Sequence, residues 1–192
     1  MTPRQVQVAC LQLSPVFKDV RASQRRADAY VDQLRAGSLD MLVLPELAFT
    51  GYCFDSRQEI EPWLEDPDSG ETFKWASKTA MRLLCYVFVG FPERARNGKA
   101  FNSMLIVGPD GQLVSVYRKH FLYTTDESWA EEGPGFATVE LNLPARPQAT
   151  SRQVKVCPAI CMDLNPHQFT APFCAFELAR HAVEQQVDLI NA

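Results

Sequence analysis

The chain has 192 residues, 46% of them hydrophobic and 22% charged, which fits one ordinary globular domain with a core of its own. Net charge is −4 and no basic stretch exceeds Arg25-Arg26, so the clustered cationic face that nucleic acid needs is not expected. No apolar run approaches the roughly 18–20 residues that span a bilayer, and Met1-Thr2-Pro3-Arg4 lacks the apolar core of a signal peptide, so the expectation is no membrane partner and a cytoplasmic or nuclear location.

In chain order, Gln5 to Leu13 reads as a strand buried on both faces, because its apolar residues stop alternating by Val8-Ala9-Cys10-Leu11. Asp19 caps a helix running to about Arg35, with Ala27, Tyr30, Val31 and Leu34 on one side and Gly37 as its stop. Met41 to Leu44 is a short strand ended by Pro45. Thr72 to Cys85 has helical spacing, and Tyr86 to Phe91 follows as a strand. Phe101 to Val107 and Gln112 to Tyr117 flank Gly108-Pro109-Asp110-Gly111 and form a hairpin. Leu122 to Arg152 reads mainly as loop, with a short strand at Thr138 to Leu143. Val154 to Met162 is a strand, Pro172 to Gln186 a helix with proline in its first turn, and Val187 to Asn191 begins another strand. Strands alternating with helices around one hairpin indicate an α/β protein with a mixed sheet, without repeats or linkers. A strand beginning so near Ala192 is either a sheet edge or part of a longer protein.

Six cysteines are scattered along the chain without a Cys-x-x-Cys pair, and no histidine has ligand spacing, so no metal site is expected. Three segments place a reactive side chain just after a strand. Glu46 follows Leu44-Pro45, at the strand end where open α/β sheets place ligands. Lys119 ends the second hairpin strand in Tyr117-Arg118-Lys119. Cys161 ends the apolar run Val156-Cys157-Pro158-Ala159-Ile160 and precedes the polar Asp163. Each alone fits a solvated loop charge or a packing thiol. Together they form a self-consistent set: a thiol nucleophile, a carboxylate base and a cation for a developing oxyanion, with the Met162 N–H as a second donor.

Glu46, Lys119 and Cys161 occur in the order and local context of a known family. Pro45-Glu46 leading to Gly51-Tyr52, Tyr117-Arg118-Lys119 and Ile160-Cys161-Met162-Asp163 resemble the three motifs of the nitrilase superfamily of carbon–nitrogen hydrolases. The resemblance runs from about Gln5 to the end of the chain. It implies an αββα sandwich with mixed sheets, here a single domain over 1–192 whose C-terminal part is expected to be missing. It also implies amide hydrolysis through a Cys161 thioester without a cofactor. Many members use a second glutamate after the lysine, which makes Glu127 the expected accessory carboxylate and Asp126 its rival.

Within the superfamily, Tyr117 to Tyr123 and Ile160 to Pro166, running on into Phe169-Thr170-Ala171-Pro172-Phe173, are most similar to the protein N-terminal amidases. The implied reaction is deamidation of N-terminal Asn, and of Gln, on proteins or peptides, which feeds the N-degron pathway. Such a substrate carries an α-ammonium; Asp163 is either its counterion or a loop residue that binds only backbone. The alternatives are another small-amide hydrolase of the superfamily (an ω-amidase or carbamoylase) and a catalytically silent truncated form that acts by binding. Oligomeric state stays open.

Overall fold

The computed structural model describes residues 5–145 and 151–192. Among these residues there are eight strands: β1 (Val8–Cys10), β2 (Met41–Val43), β3 (Tyr86–Arg94), β4 (Ala100–Val107), β5 (Leu113–Arg118), β6 (Val139–Leu143), β7 (Arg152–Pro158) and β8 (Leu189–Asn191). Four α-helices accompany them: α1 (Val20–Val31), the short α2 (Arg57–Ile60), α3 (Glu71–Leu83) and α4 (Glu177–Glu184).

The strands form two sheets. The first has the order β1-β2-β3-β4-β5, parallel across β1, β2 and β3 and antiparallel beyond. The second has the order β6-β7-β8, with β6 antiparallel and β8 parallel to β7. Alternation along each strand explains how they stack. Val87, Val89, Phe91, Leu105 and Val107 point to one face, where they meet Ala27 and Val31 of α1 and Trp75, Ala76, Ala80 and Leu83 of α3. Tyr86, Phe88, Met104 and Ile106 point to the other, where they pack on Leu141, Leu143, Val154 and Val156 of the second sheet. Leu178 of α4 covers the far side of β7 through Cys157 and Ala159. The layers are therefore α, β, β, α, as the family resemblance implies. Strand periodicity alone suggested one mixed sheet, because β3 and β4 are buried along nearly their whole length and their two faces look alike in sequence.

Helix α1 starts where its cap is: the Asp19 side chain accepts from the Ala22 N–H at 2.9 Å. Gly37 has φ 71° and donates its N–H to Leu83 O at 2.8 Å, tying the exit of α1 to α3. Three elements are shorter than their apolar runs. The strand expected to Met162 ends at Pro158, which has no N–H to continue a ladder. The helix expected from Pro172 is instead a 3-10 turn (Phe173–Ala175) followed by α4, with Phe176 between them in the left-handed region at φ 46°. The expected Gln5–Leu13 strand pairs over Val8–Cys10 alone, extended by the Leu11 N–H to Val43 O bond. Among the described residues, no helix is long and apolar enough to cross a membrane.

Candidate active site

Glu46, Lys119 and Cys161 converge at one end of the first sheet. Glu46 lies just past β2, where the chain crosses over β3 at Gly90: the Gly90 N–H donates to Pro45 O and the Ala48 N–H to Gly90 O, at 3.3 and 3.0 Å. The crossing requires glycine, since a Cβ at position 90 would lie 2.6 Å from Pro45 O and 2.7 Å from Glu46 Cα. Lys119 follows β5 directly, and its N–H donates to Asn102 O on β4 at 2.8 Å. That bond sets the Asn102 and Lys119 side chains beside each other.

The Lys119 side chain is wholly buried and bridges two carboxylates, donating to Glu46 Oε1 and Asp126 Oδ2, each at 2.6 Å. Asn102 Nδ2 donates to the same pair, at 2.6 Å to Glu46 Oε1 and 3.1 Å to Asp126 Oδ1. Asp126 opens a 3-10 turn (Asp126–Ser128), accepts the Tyr123 N–H at its own Oδ2, and is fully buried. Glu127 of the same turn is exposed. The second carboxylate on Lys119 in this structure is therefore Asp126 and not the expected Glu127. On a tight turn only one of two adjacent side chains faces inward, and the shorter one reaches Lys119.

Cys161 is not at a strand end. It opens a 3-10 turn (Cys161–Leu164) three residues past β7 and adopts φ 45°, a left-handed backbone that strains a non-glycine residue. The residue is exposed, and Glu46, Lys119 and Asp126 all bear on its thiol. Asp163 holds this turn. Its Oδ2 accepts from Ile160 N–H and from the Tyr117 hydroxyl, both at 2.8 Å, and its Oδ1 from His120 N–H at 3.1 Å and Phe121 N–H at 2.8 Å. With both oxygens committed inside the fold and 1% of its surface exposed, Asp163 has no capacity left for a substrate ammonium. The α-ammonium role is corrected to a structural one: Asp163 ties the Cys161 turn to the start of the segment that follows β5.

Burial pushes the Glu46 carboxyl above its usual range, although Lys119 pulls it back. Burial also pushes the Cys161 thiol up, and the charge of Glu46 adds to it, so the resting thiol is neutral. Desolvation alone would lower Lys119, but Glu46 and Asp126 outweigh it and keep the amine a cation. The cluster is thus a neutral nucleophile beside a basic carboxylate and a fixed positive charge. Among the described residues, no three or more His, Cys, Asp or Glu are grouped to hold a metal ion. Sequence reading missed Tyr117 as a ligand of Asp163, which no local pattern signals because the two are 46 residues apart.

The carbon–nitrogen hydrolase family model matches residues 7–170. The protein N-terminal amidase of Saccharomyces cerevisiae is 34% identical over 198 aligned residues, covering 96% of this chain and 43% of the yeast protein. That of Schizosaccharomyces pombe is 35% identical, covering 92% of this chain and 61% of its own length. A crystal structure of N-terminal amidase superposes with a TM-score of 0.91 at 33% identity, covering 96% of this chain and 46% of that one. Complexes of N-terminal amidase with a Gln-Gly peptide and with an Asn-Glu peptide superpose equally well, at 32% identity. The chain spans about half the length of these relatives.

Proposed function

This chain belongs to the carbon–nitrogen hydrolase family, and from that premise we propose that it is an amidohydrolase that deamidates N-terminal Asn, and Gln, of proteins and peptides. The observation that carries the chemistry is the arrangement of Lys119 between Glu46 and Asp126, with the charges of all three acting on the Cys161 thiol. The substrate class rests on the relatives, which are N-terminal amidases and include complexes with Asn- and Gln-terminated peptides.

The mechanism follows from the cluster. Glu46 takes the Cys161 proton as sulfur attacks the side-chain amide carbon. Lys119 faces the oxyanion with the N–H not used by the two carboxylates, and Met162 N–H, at the start of its turn, is a second donor. Glu46 returns the proton to nitrogen, the C–N bond breaks and ammonia leaves a thioester on Cys161. Glu46 then takes a proton from water, hydroxide adds to the thioester, and the sulfur leaves as a thiol with that proton. The products are ammonia and a peptide beginning with Asp or Glu, the form that the N-degron pathway arginylates. Asp126 serves Lys119: when Glu46 is protonated, Asp126 remains as the anion that keeps the lysine charged.

Incubating the 192-residue chain with peptides beginning Asn, Gln or Asp tests the proposal directly. Asn- and Gln-peptides should gain about one dalton and release ammonia, and Asp-peptides should not change. Free glutamine-like amides and carbamoyl amino acids serve as competitors; preference for either over the peptides would replace the substrate class. A folded chain without turnover on any amide would overturn the enzymatic reading.

A further inference from the structure

The Pro45–Tyr52 segment supplies the base at one end, and the mechanism leaves Tyr52 at the other end unused. The Tyr52 hydroxyl oxygen is buried and has no hydrogen-bond partner among the described residues. Buried hydroxyls are rarely left so, because the lost hydrogen bond to water is not replaced. Its surroundings are those of the site: the ring centroid is 5.8 Å from Lys119 Nζ, and Glu46, Asp126 and Cys161 all bear on the hydroxyl. Burial, reinforced by these charges, keeps the phenol protonated.

The backbone that carries Tyr52 is pinned. Thr50 O accepts the Lys18 N–H and Tyr52 O the Phe54 N–H, both at 2.9 Å. Gly51 has φ 81°, and a Cβ there would lie 2.9 Å from Phe17 Cδ2. Lys18 Nζ sits 4.8 Å from the Phe17 ring centroid and 5.5 Å from that of Trp63, and bonds Glu59 at 2.5 Å. The Tyr52 hydroxyl is thus carried beside the cluster by a fixed backbone.

A partner that arrives only with substrate resolves the vacancy in its bonding. The atom that must lie near both Cys161 and Glu46 during turnover is the leaving nitrogen, which is bound to the attacked carbon and is protonated by Glu46. Among the described residues Asp126 Oδ1 accepts from Asn102 Nδ2, which leaves a lone pair toward which the phenolic proton of Tyr52 turns. With its O–H turned to Asp126, the Tyr52 oxygen presents lone pairs alone to the substrate. Contacts of this kind tighten only once substrate is bound.

We propose that Tyr52 is a specificity-determining residue, its oxygen accepting an N–H of the substrate's primary amide and so selecting carboxamide over ester or carboxylate. This rests on the amidohydrolase reading. Tyr52 neither gains nor loses a proton over the cycle, and Glu46 carries every proton that moves. A product carboxylate would set lone pairs against the Tyr52 oxygen, which favours its release.

The test compares the parent chain and Tyr52→Phe on one peptide in two forms, beginning with Asn or with Asp β-methyl ester. Both yield the same thioester, one releasing ammonia and the other methanol, and kcat/KM reports its formation. Tyr52→Phe should lower kcat/KM for the amide about tenfold or more and for the ester less than about threefold, because only the amide offers the N–H. The melting temperature should change by only a few degrees, since the contact of the phenolic O–H with Asp126 is all that the fold loses. Equal loss on amide and ester, or loss on neither, overturns the inference while leaving the amidase reading intact. No amide turnover by the parent chain overturns that reading and this one with it.

Discussion

Lys119 has two carboxylate partners, and only one of them can spend its charge in chemistry. If Asp126 holds the lysine while Glu46 moves protons, Asp126→Asn should lower kcat on the order of 10²-fold, whereas Glu127→Gln, exposed and outside the cluster, should stay within about twofold in the same ammonia-release assay. The same variant has a signature in pH. Glu46 must be ionised to take the thiol proton, so kcat/KM is lost as pH falls through its pKa. Because that pKa is raised, chiefly by burial, the acid limb should lie above the usual glutamate value of about 4.3. Asp126 contributes to the elevation, so Asp126→Asn should move the acid limb to lower pH. A limb that stays in place would separate Asp126 from the base. The three residues Glu46, Lys119 and Cys161 were readable in sequence because each sits in an extended motif. The choice between Asp126 and Glu127 was not, because it depends on which way a 3-10 turn faces.

At the scale of elements, two devices set the geometry of the site. One is the crossing at Gly90, where β3 passes under the Pro45–Glu46 peptide. Gly90→Ala would drive a methyl group into that backbone, and the variant should lose both melting temperature and activity. The other is Asp163, whose four accepted hydrogen bonds fasten the strained Cys161 turn to Tyr117, His120 and Phe121. Asp163→Asn puts an NH₂ where an N–H donor now points, which should cost about 2–4 kcal/mol and lower the melting temperature by roughly 5–15 °C. Peptide binding that weakens with no loss of stability would restore Asp163 as the substrate's counterion. Helices α1 and α3 and the β4–β5 hairpin were legible from period and turn chemistry. The end of β7 and the break at Phe176 were not, because apolar residues continue past both while the backbone leaves regular geometry at Pro158 and at a left-handed residue.

For the whole molecule, the four layers place three separate stretches of chain around one thiol. The first sheet positions Glu46 past β2, Asn102 on β4 and Lys119 past β5, the β5–β6 connection contributes Asp126, and the 3-10 turn after β7 contributes Cys161. The two sheets meet through Phe88, Met104, Ile106, Leu141 and Val156, so the nucleophile and its base are held across that apolar seam. Sequence pattern did not show the seam, because it lies between strands more than 30 residues apart and the faces of β3 and β4 look alike, both being buried along nearly their whole length. The central claim is that Cys161 forms a thioester when this cluster meets an amide. Acid quenching of the chain during turnover of an Asn-peptide, followed by intact-mass analysis and peptide mapping, measures it. The account predicts an adduct of the peptide mass less about 17 Da, on Cys161 and absent from Cys161→Ala. Turnover with no adduct on Cys161, or undiminished in Cys161→Ala, would contradict it.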